Sequence, residues 1–386
     1  MRQLFFTLLL ALASAFAIAD ERTDVIVLGN NPAAAAAGIQ SARSGVKTFW
    51  ITTTGPGLSF TAADTLSADP AGIWQELIRL QKQKPGLSAA LLVKSFTDTV
   101  KNLTVIQGEV RRIERSGRGW EVKLTNGREL KCQVLVDAGD HTKQVEKSPA
   151  ELSQRVTETP VPEDLYSSRL FRTAVFTGAG NRGVIPLGSL ISKEENYIVA
   201  GQGPDGRSSM LAGQAAGASA AYCAYFKTTT RSLQVRMTQG ELLRFNGTLI
   251  PVPDVPRTDP AFIPVQHILA TGILKLENGR FNPDATMKAE FLRLPLKEFY
   301  SRSQLWFFNH KSDSLTIRDA IDLIMFTATR GEELRREIEN GWSTSLKLPG
   351  TYDPARPVTR RELAVLIDRY LKPFGVNVDF TGRLLR

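Results

Sequence analysis

The sequence predicts an α/β domain followed by a smaller all-α domain, on three observations. First, TDVIVLG is a short apolar run, NNPAAAAAGIQSARSG is alanine-rich, and VKTFWIT is a second apolar run. Strand, tight turn, helix and strand thus fit within about thirty residues, as a parallel βαβ unit requires. Second, Asn126-Gly127 stands between EVKLT and RELKCQVLV, the strongest short-range hairpin signal. Third, strand patterns stop beyond Pro251-Val252-Pro253, and helical ones replace them.

The elements follow in order. A leader comes first: Arg2, the apolar LFFTLLLALASAFAIA, and Ala17-Ile18-Ala19, which matches the small-x-small cleavage rule. Residues 1–19 read as a signal peptide, with the mature chain starting at Asp20. The run is short for a membrane span of about 20 residues, and no later stretch is long and apolar enough to span. Export to the periplasm or cell surface of a bacterium is therefore expected, with no transmembrane span after cleavage. Within residues 20–250, AGIWQELIRLQKQ and SAALLVKSFTDTVKN read as helices separated by Pro85-Gly86. LTVIQGEVRRIER and GWEVKLTNGRELKCQVLVDAG read as strands. His141 to Arg172 reads as a connection with a short helix, ENYIVAGQ as a buried strand, and GRSSMLAGQAAGASAAYCAYF as a small-residue helix from Ser208 or Met210. PVPDVPRTDP carries four prolines in ten residues and reads as a linker. Residues 251–386 then hold five helical patterns, one containing Pro295, which is expected to kink or shorten it.

Composition bounds the function. The formal net charge is +9, or +8 once Arg2 is cleaved, since it is the one charged residue of the leader. No block of five like charges occurs, so a solvated basic surface is favoured over nucleic-acid binding. Weak attraction to an acidic envelope polymer stays open. Cys132 and Cys223 are the two cysteines; one disulfide or two buried thiols both remain open. Three histidines far apart, and no CxxC, give no metal site.

The chemistry lies in the first βα turn, Gly29-Asn30-Asn31-Pro32-Ala33-Ala34. A dinucleotide fingerprint is G-x-G-x-x-G/A between strand and helix. Gly29 supplies the tight turn and Ala34 the small third position. Asn31 replaces the glycine that lets the backbone approach a diphosphate. Thr52 stands where an acidic residue would grip a ribose, and a hydroxyl's hydrogen bond lacks the charge assistance that roughly doubles its strength. The helix start still offers N–H groups and a positive dipole end.

Later segments extend the pattern: Leu135-Val136-Asp137-Ala138-Gly139-Asp140, then Ile198-Val199-Ala200-Gly201, then Gly213-Gln214-Ala215-Ala216-Gly217. In this order they resemble the FAD-dependent oxidoreductase family with a glutathione-reductase-like flavin domain, over roughly Asp24 to Phe226. The resemblance implies a Rossmann-like FAD/NAD(P)-binding domain with a β-meander. It implies FAD held at Gly29, Asn31, Pro32, Ala33, Ala34, Thr52, Asp137, Ala138, Gly139 and Gly201. It also places the helix start Gly213–Gly217 over the flavin ring and pyrophosphate. His141 reads as a surface-turn histidine beside Asp140, with a proton donor as the alternative.

In residues 251–386 a repeat recurs: Phe281, Pro283, Lys288, Glu290 and Tyr352, Pro354, Arg360, Glu362. With Gly272-Ile273 and Thr359-Arg360-Arg361-Glu362, this resembles the S-layer homology module. Thr359 and Glu362 have the spacing of a capping box. The resemblance implies either contact with an anionic cell-envelope polymer or packing against the flavin domain. The functional expectation is an exported FAD-dependent oxidoreductase-like protein passing a hydride from an unidentified organic substrate to FAD. The alternative is a non-catalytic envelope-binding protein on a degenerate flavin fold.

Overall fold

The computed structural model describes residues 21–54, 71–139, 141–145, 159–160, 165–177, 183–201 and 206–385. The expected leader and Asp140 lie outside the described residues.

The chain opens as β1 (Glu21–Leu28), α1 (Pro32–Arg43) and β2 (Thr48–Thr52). Val25 to Leu28 are fully buried, which a parallel strand covered on both faces demands. α2 (Gly72–Gln83) and α3 (Ala89–Thr97) lead to β3 (Leu103–Gln107). The meander follows as β4 (Val110–Ser116), β5 (Gly119–Leu124) and β6 (Glu129–Asp137). The sheet order is β3-β2-β1-β6-β5-β4. β1 pairs in parallel with β2 and β6, and β2 with β3, whereas β4–β5 and β5–β6 are antiparallel. β6 changes partner along its length: Glu129 to Cys132 pair with β5, while Leu135 to Asp137 pair in parallel with the late strand β10 (Tyr197–Val199). This is the Rossmann-like α/β fold with a meander that the sequence implied.

Between them, β7 (Thr159–Pro160), β8 (Ala174–Thr177) and β9 (Gly183–Pro186) form a small sheet of order β7-β9-β8. The sequence reading had a plain connection through part of this region. α4 (Gly206–Tyr225) packs along α1 at close range. A Cβ on Gly213 would lie 2.0 Å from the Ala33 carbonyl oxygen, and one on Gly217 2.4 Å from that of Ala37. Glycine is therefore what lets the two helix backbones meet.

α5 (Val235–Arg244) and α6 (Phe262–Thr271) flank the proline-rich stretch. The stretch read as a linker is an ordered strap. Gln266 accepts from the Leu249 and Ile250 N–H groups at 2.9 and 3.0 Å. Asp254 accepts from the Phe281 and Asn282 N–H groups at 3.0 and 2.6 Å. Val252 and Val255 are buried in a core that runs without a break into both halves. Proline here fixes backbone shape while side chains supply the anchorage.

The helical half continues with α7 (Glu290–Phe299), α8 (Ser303–Asn309), α9 (Ile317–Ala328), α10 (Glu332–Gly341) and α11 (Arg360–Tyr370). Pro295 lies inside the ten-residue α7. Backbone bridges join Thr286 to Thr359, Lys288 to Ser314 and Thr316 to Pro357. Three helix entries therefore meet, one more than the repeat showed. The middle one, Thr316–Asp319, forms a full capping box, as does Thr359–Glu362. No described helix is long and apolar enough to cross a membrane. Cys132 and Cys223 are free and buried, and burial pushes each thiol up to about 12. The two-thiol alternative is therefore the one realised.

Candidate functional site

The carboxyl ends of β1, β2 and β6 converge, which is where ligands bind in open α/β sheets. A cavity of about 210 Å³ opens there, lined among others by Gly29, Asn30, Thr52, Gly108, Val110 and His141. Gly29 adopts φ +136°. A Cβ there would lie 3.1 Å from Ala138 C and Gly139 N, so this glycine lets the ends of β1 and β6 close up. The Trp50 indole N–H donates to the Gly29 carbonyl at 2.9 Å and holds the turn from below.

Asn31 is the N-cap of α1. Its Oδ1 accepts from the Ala34 N–H at 2.9 Å, and its Nδ2 donates to the Ala138 carbonyl. Its carboxamide thus stands where a phosphate oxygen would accept. Pro32 has no N–H to offer, and the Ala35 N–H goes to the Asn31 carbonyl at 3.2 Å. Yet the first turn of α1 holds no acidic residue, so the dipole end keeps its partial positive charge. At the β2 end, the Thr52 hydroxyl donates to Asn30 Oδ1, and Asn30 Nδ2 donates to Thr54 at 2.5 Å. In a dinucleotide site these polar groups would stand at the adenosine end. The described residues fit that end and crowd its diphosphate.

Asp137 is reassigned by its surroundings. Its carboxylate is 2% exposed. It accepts from Gly139 N at 3.0 Å, from His141 N and Nδ1 at 2.8 Å each, and from the Tyr197 hydroxyl at 2.8 Å. Burial alone would raise its pKa, but the donors and charge of His141, the Tyr197 hydroxyl and the Gly139 N–H outweigh it. The carboxyl is held below the usual range. These four donors satisfy the carboxylate internally and make it a strand-end clamp, at the residue where the resemblance implied a cofactor contact. His141, expected as a free surface turn, is hooked onto that clamp and folds back over Gly139. The Asp-x-x-x-His spacing was the sequence signal for it.

The Gly213–Gly217 segment is likewise corrected. α4 starts at Gly206, so Gly213 lies two turns inside the helix and packs on Ala33. Gln214 is buried, accepting from Ile73 N at 3.1 Å and donating to Gln40 and Phe245. Ala215 and Ala216 are fully buried. This segment is a helix seam and no helix start. Gly201 lies two residues beyond β10 and borders residues 202–205, which lie outside the described residues. Ala138 reaches the site through its carbonyl, and Ala33 and Ala34 through the α1 backbone.

No family model matches the chain, and no curated protein matches it. Solved structures do match in part. The oxidoreductase from Agrobacterium tumefaciens shares 14% identity over 37% of this chain and 39% of that one, with a TM-score of 0.20. Thioredoxin reductase from T. acidophilum shares 17% over 31% and 36%, with a TM-score of 0.21. Bacillithiol disulfide reductase from Staphylococcus aureus shares 16% over 31% and 42%, with a TM-score of 0.23. The chain thus spans well under half the length of the structures it matches. At these scores the likeness adds nothing to the strand order and register, on which the fold rests.

Proposed function

We propose that this chain is an exported, flavin-type oxidoreductase-like protein that takes FAD by its adenosine end at the carboxyl edge of β1 and β2. One observation carries the reading: the Gly29 turn and the Asn30–Thr52 pair line one cavity between β1, β2 and β6, and the acid-free start of α1 follows that turn directly in the chain. When bound, FAD would supply a hydride acceptor for an organic substrate. The chain's own part is to hold the nucleotide: Gly29 by close backbone approach, Asn30 and Thr52 at the ribose, and the α1 N-terminus at the diphosphate. Asn31 sets the affinity, because its carboxamide must leave the Ala34 N–H for a phosphate to enter.

The purified chain is expected to carry flavin below one per molecule and to quench the fluorescence of added FAD. Asn31→Gly is expected to bind FAD about tenfold more tightly or better, about 1.4 kcal/mol. A colourless protein that takes up no FAD, with Asn31→Gly equally inert, would sink the reading.

A second reading, a non-catalytic protein that binds an anionic cell-envelope polymer, is favoured by the Asn31 cap itself, which satisfies the turn without a ligand. In the S-layer-homology-like part, Arg360 is 2% exposed and donates to Glu277 and to the Phe281 and Lys275 carbonyls. Polymer contact would therefore fall to exposed residues such as Lys288. Failure to sediment with cell-wall polymer would remove this reading.

A further inference from the structure

A groove that shares no lining residue with the cavity at β1, β2 and β6 lies between residues of both halves of the chain. It consists of two adjoining cavities of about 640 and 650 Å³ that share Arg169, Arg172 and Glu298. Both lie within the size range of small-molecule sites, and such sites favour domain junctions. Their lining holds five cations, Arg169, Arg172, Lys275, Lys297 and Arg383, against two carboxylates, Glu298 and Asp379. One carboxylate is already engaged: Asp379 accepts from Thr381 and from the Arg383 N–H. Arg383 also acts electrostatically on Asp379, and Lys275 lies over the Tyr166 ring, so the groove keeps an excess of positive charge.

Arg172 is the fixed point. Its side chain is 7% exposed. Nε donates to the Thr271 carbonyl at 3.2 Å and Nη1 to the Gly382 carbonyl at 3.4 Å. Those bonds orient the guanidinium so that Nη2 faces the groove, where Glu298 meets it. Glu298 comes from the exposed side of α7 and is itself 45% exposed. The chain thus places its own carboxylate, from a solvent-facing position, on a buried and oriented cation between two cavities. Tyr166, Phe171, Leu294 and Pro295 give the first cavity an apolar wall, which an inorganic ion would leave uncovered.

We infer that this groove binds a small organic polycarboxylate, one carboxylate of which replaces Glu298 on Arg172 while Arg169, Lys275, Lys297 and Arg383 meet the others. A carboxylate is the favoured anion because the group already seated there is one, and a guanidinium edge matches its planar geometry.

Calorimetric titration of the full chain with citrate at low salt tests this, with inorganic phosphate and the neutral triol glycerol as comparisons. Saturable citrate binding is expected, with phosphate about tenfold weaker or more and glycerol silent. Arg169→Glu with Lys297→Glu is expected to weaken citrate at least about tenfold. Both residues are exposed, so the variant keeps its fold and a thermal melt checks this. Glu298→Gln is expected to tighten citrate about threefold or more, whereas Glu290→Gln, the same charge change on α7 outside the lining, shifts it less than about twofold. No citrate binding, phosphate binding as tightly as citrate, indifference to the double reversal, or equal effects of the two Gln variants would each overturn the inference. None of these readouts depends on flavin.

Discussion

Two of the helix starts that are capped by their own side chains, those of α11 and α1, differ in one respect. At α11, Thr359 accepts from the Glu362 N–H and Glu362 accepts from the Thr359 N–H. Glu362 also pairs with Arg356 and is 1% exposed. Its negative charge sits on the dipole's positive end and leaves no demand for an outside anion. At α1, Asn31 does half of this: it satisfies one N–H and brings no charge, and no acid follows in the first turn. A hydrogen bond and a charge are separable parts of a cap. The helix that received both is finished, while the helix that received one still presents a positive end to the cleft.

The comparison can be broken most severely by unseating α1. Gly213→Val would drive side-chain atoms into the Ala33 carbonyl, and a loss of about 3 kcal/mol or more is expected in denaturant unfolding. A loss within about 0.5 kcal/mol, the range of an ordinary surface change, would mean the α1–α4 approach is looser than described. Next, Glu362→Ala removes half a capping box and leaves Arg356 without its partner, for an expected loss of about 2–3 kcal/mol. Asn31→Ala removes a neutral cap, and about 1 kcal/mol is expected. Equal costs would erase the distinction between the two starts.

The clamp behind α1 gives a pH signature. The folded pKa of Asp137 is lowered below 3.8, so its contribution is fully present above that value and disappears as pH falls through the folded pKa. The stability gap between the wild type and Asp137→Asn should narrow as pH falls below about 4. A gap that widens below that pH would reverse the assignment. The smallest effect sets a floor: Lys94→Ala, in an exposed pair with Asp98, should cost about 0.3 kcal/mol and fade with salt.

Much of the fold was legible because its signals are local. The apolar runs of β1, β2 and β6, the Asn126-Gly127 turn and the Thr359–Glu362 cap each depend on neighbours within a few residues. The strands β8 and β9 were not seen, since four-residue segments give too little periodicity to stand out. The proline-rich strap misled because proline marks a rigid backbone without saying whether side chains tie it down. Of the residues singled out in the sequence, Gly29 and Thr52 line the cavity at the ends of β1 and β2. Gly213–Gly217 carry the letters of a cofactor site, but Gly213 faces Ala33, a pairing that spacing cannot reveal. Asp137 takes three of its four donors from Gly139 and His141 close by, and only Tyr197 comes from a distant segment. The three-way meeting of helix entries was hidden for the same reason, although Thr316-x-x-Asp319 carried a readable cap.

The two buried thiols make the molecule its own stopwatch. Cys132 belongs to the central sheet and Cys223 to the helix that locks α1 in place. Both are protonated and shielded in the folded state, and an alkylating reagent attacks only the thiolate. Under excess reagent, each sulfur will therefore be modified at the rate at which its own element opens. Matching rates at the two sites would mark one cooperative unfolding event, and a faster Cys223 would show α4 leaving the sheet first.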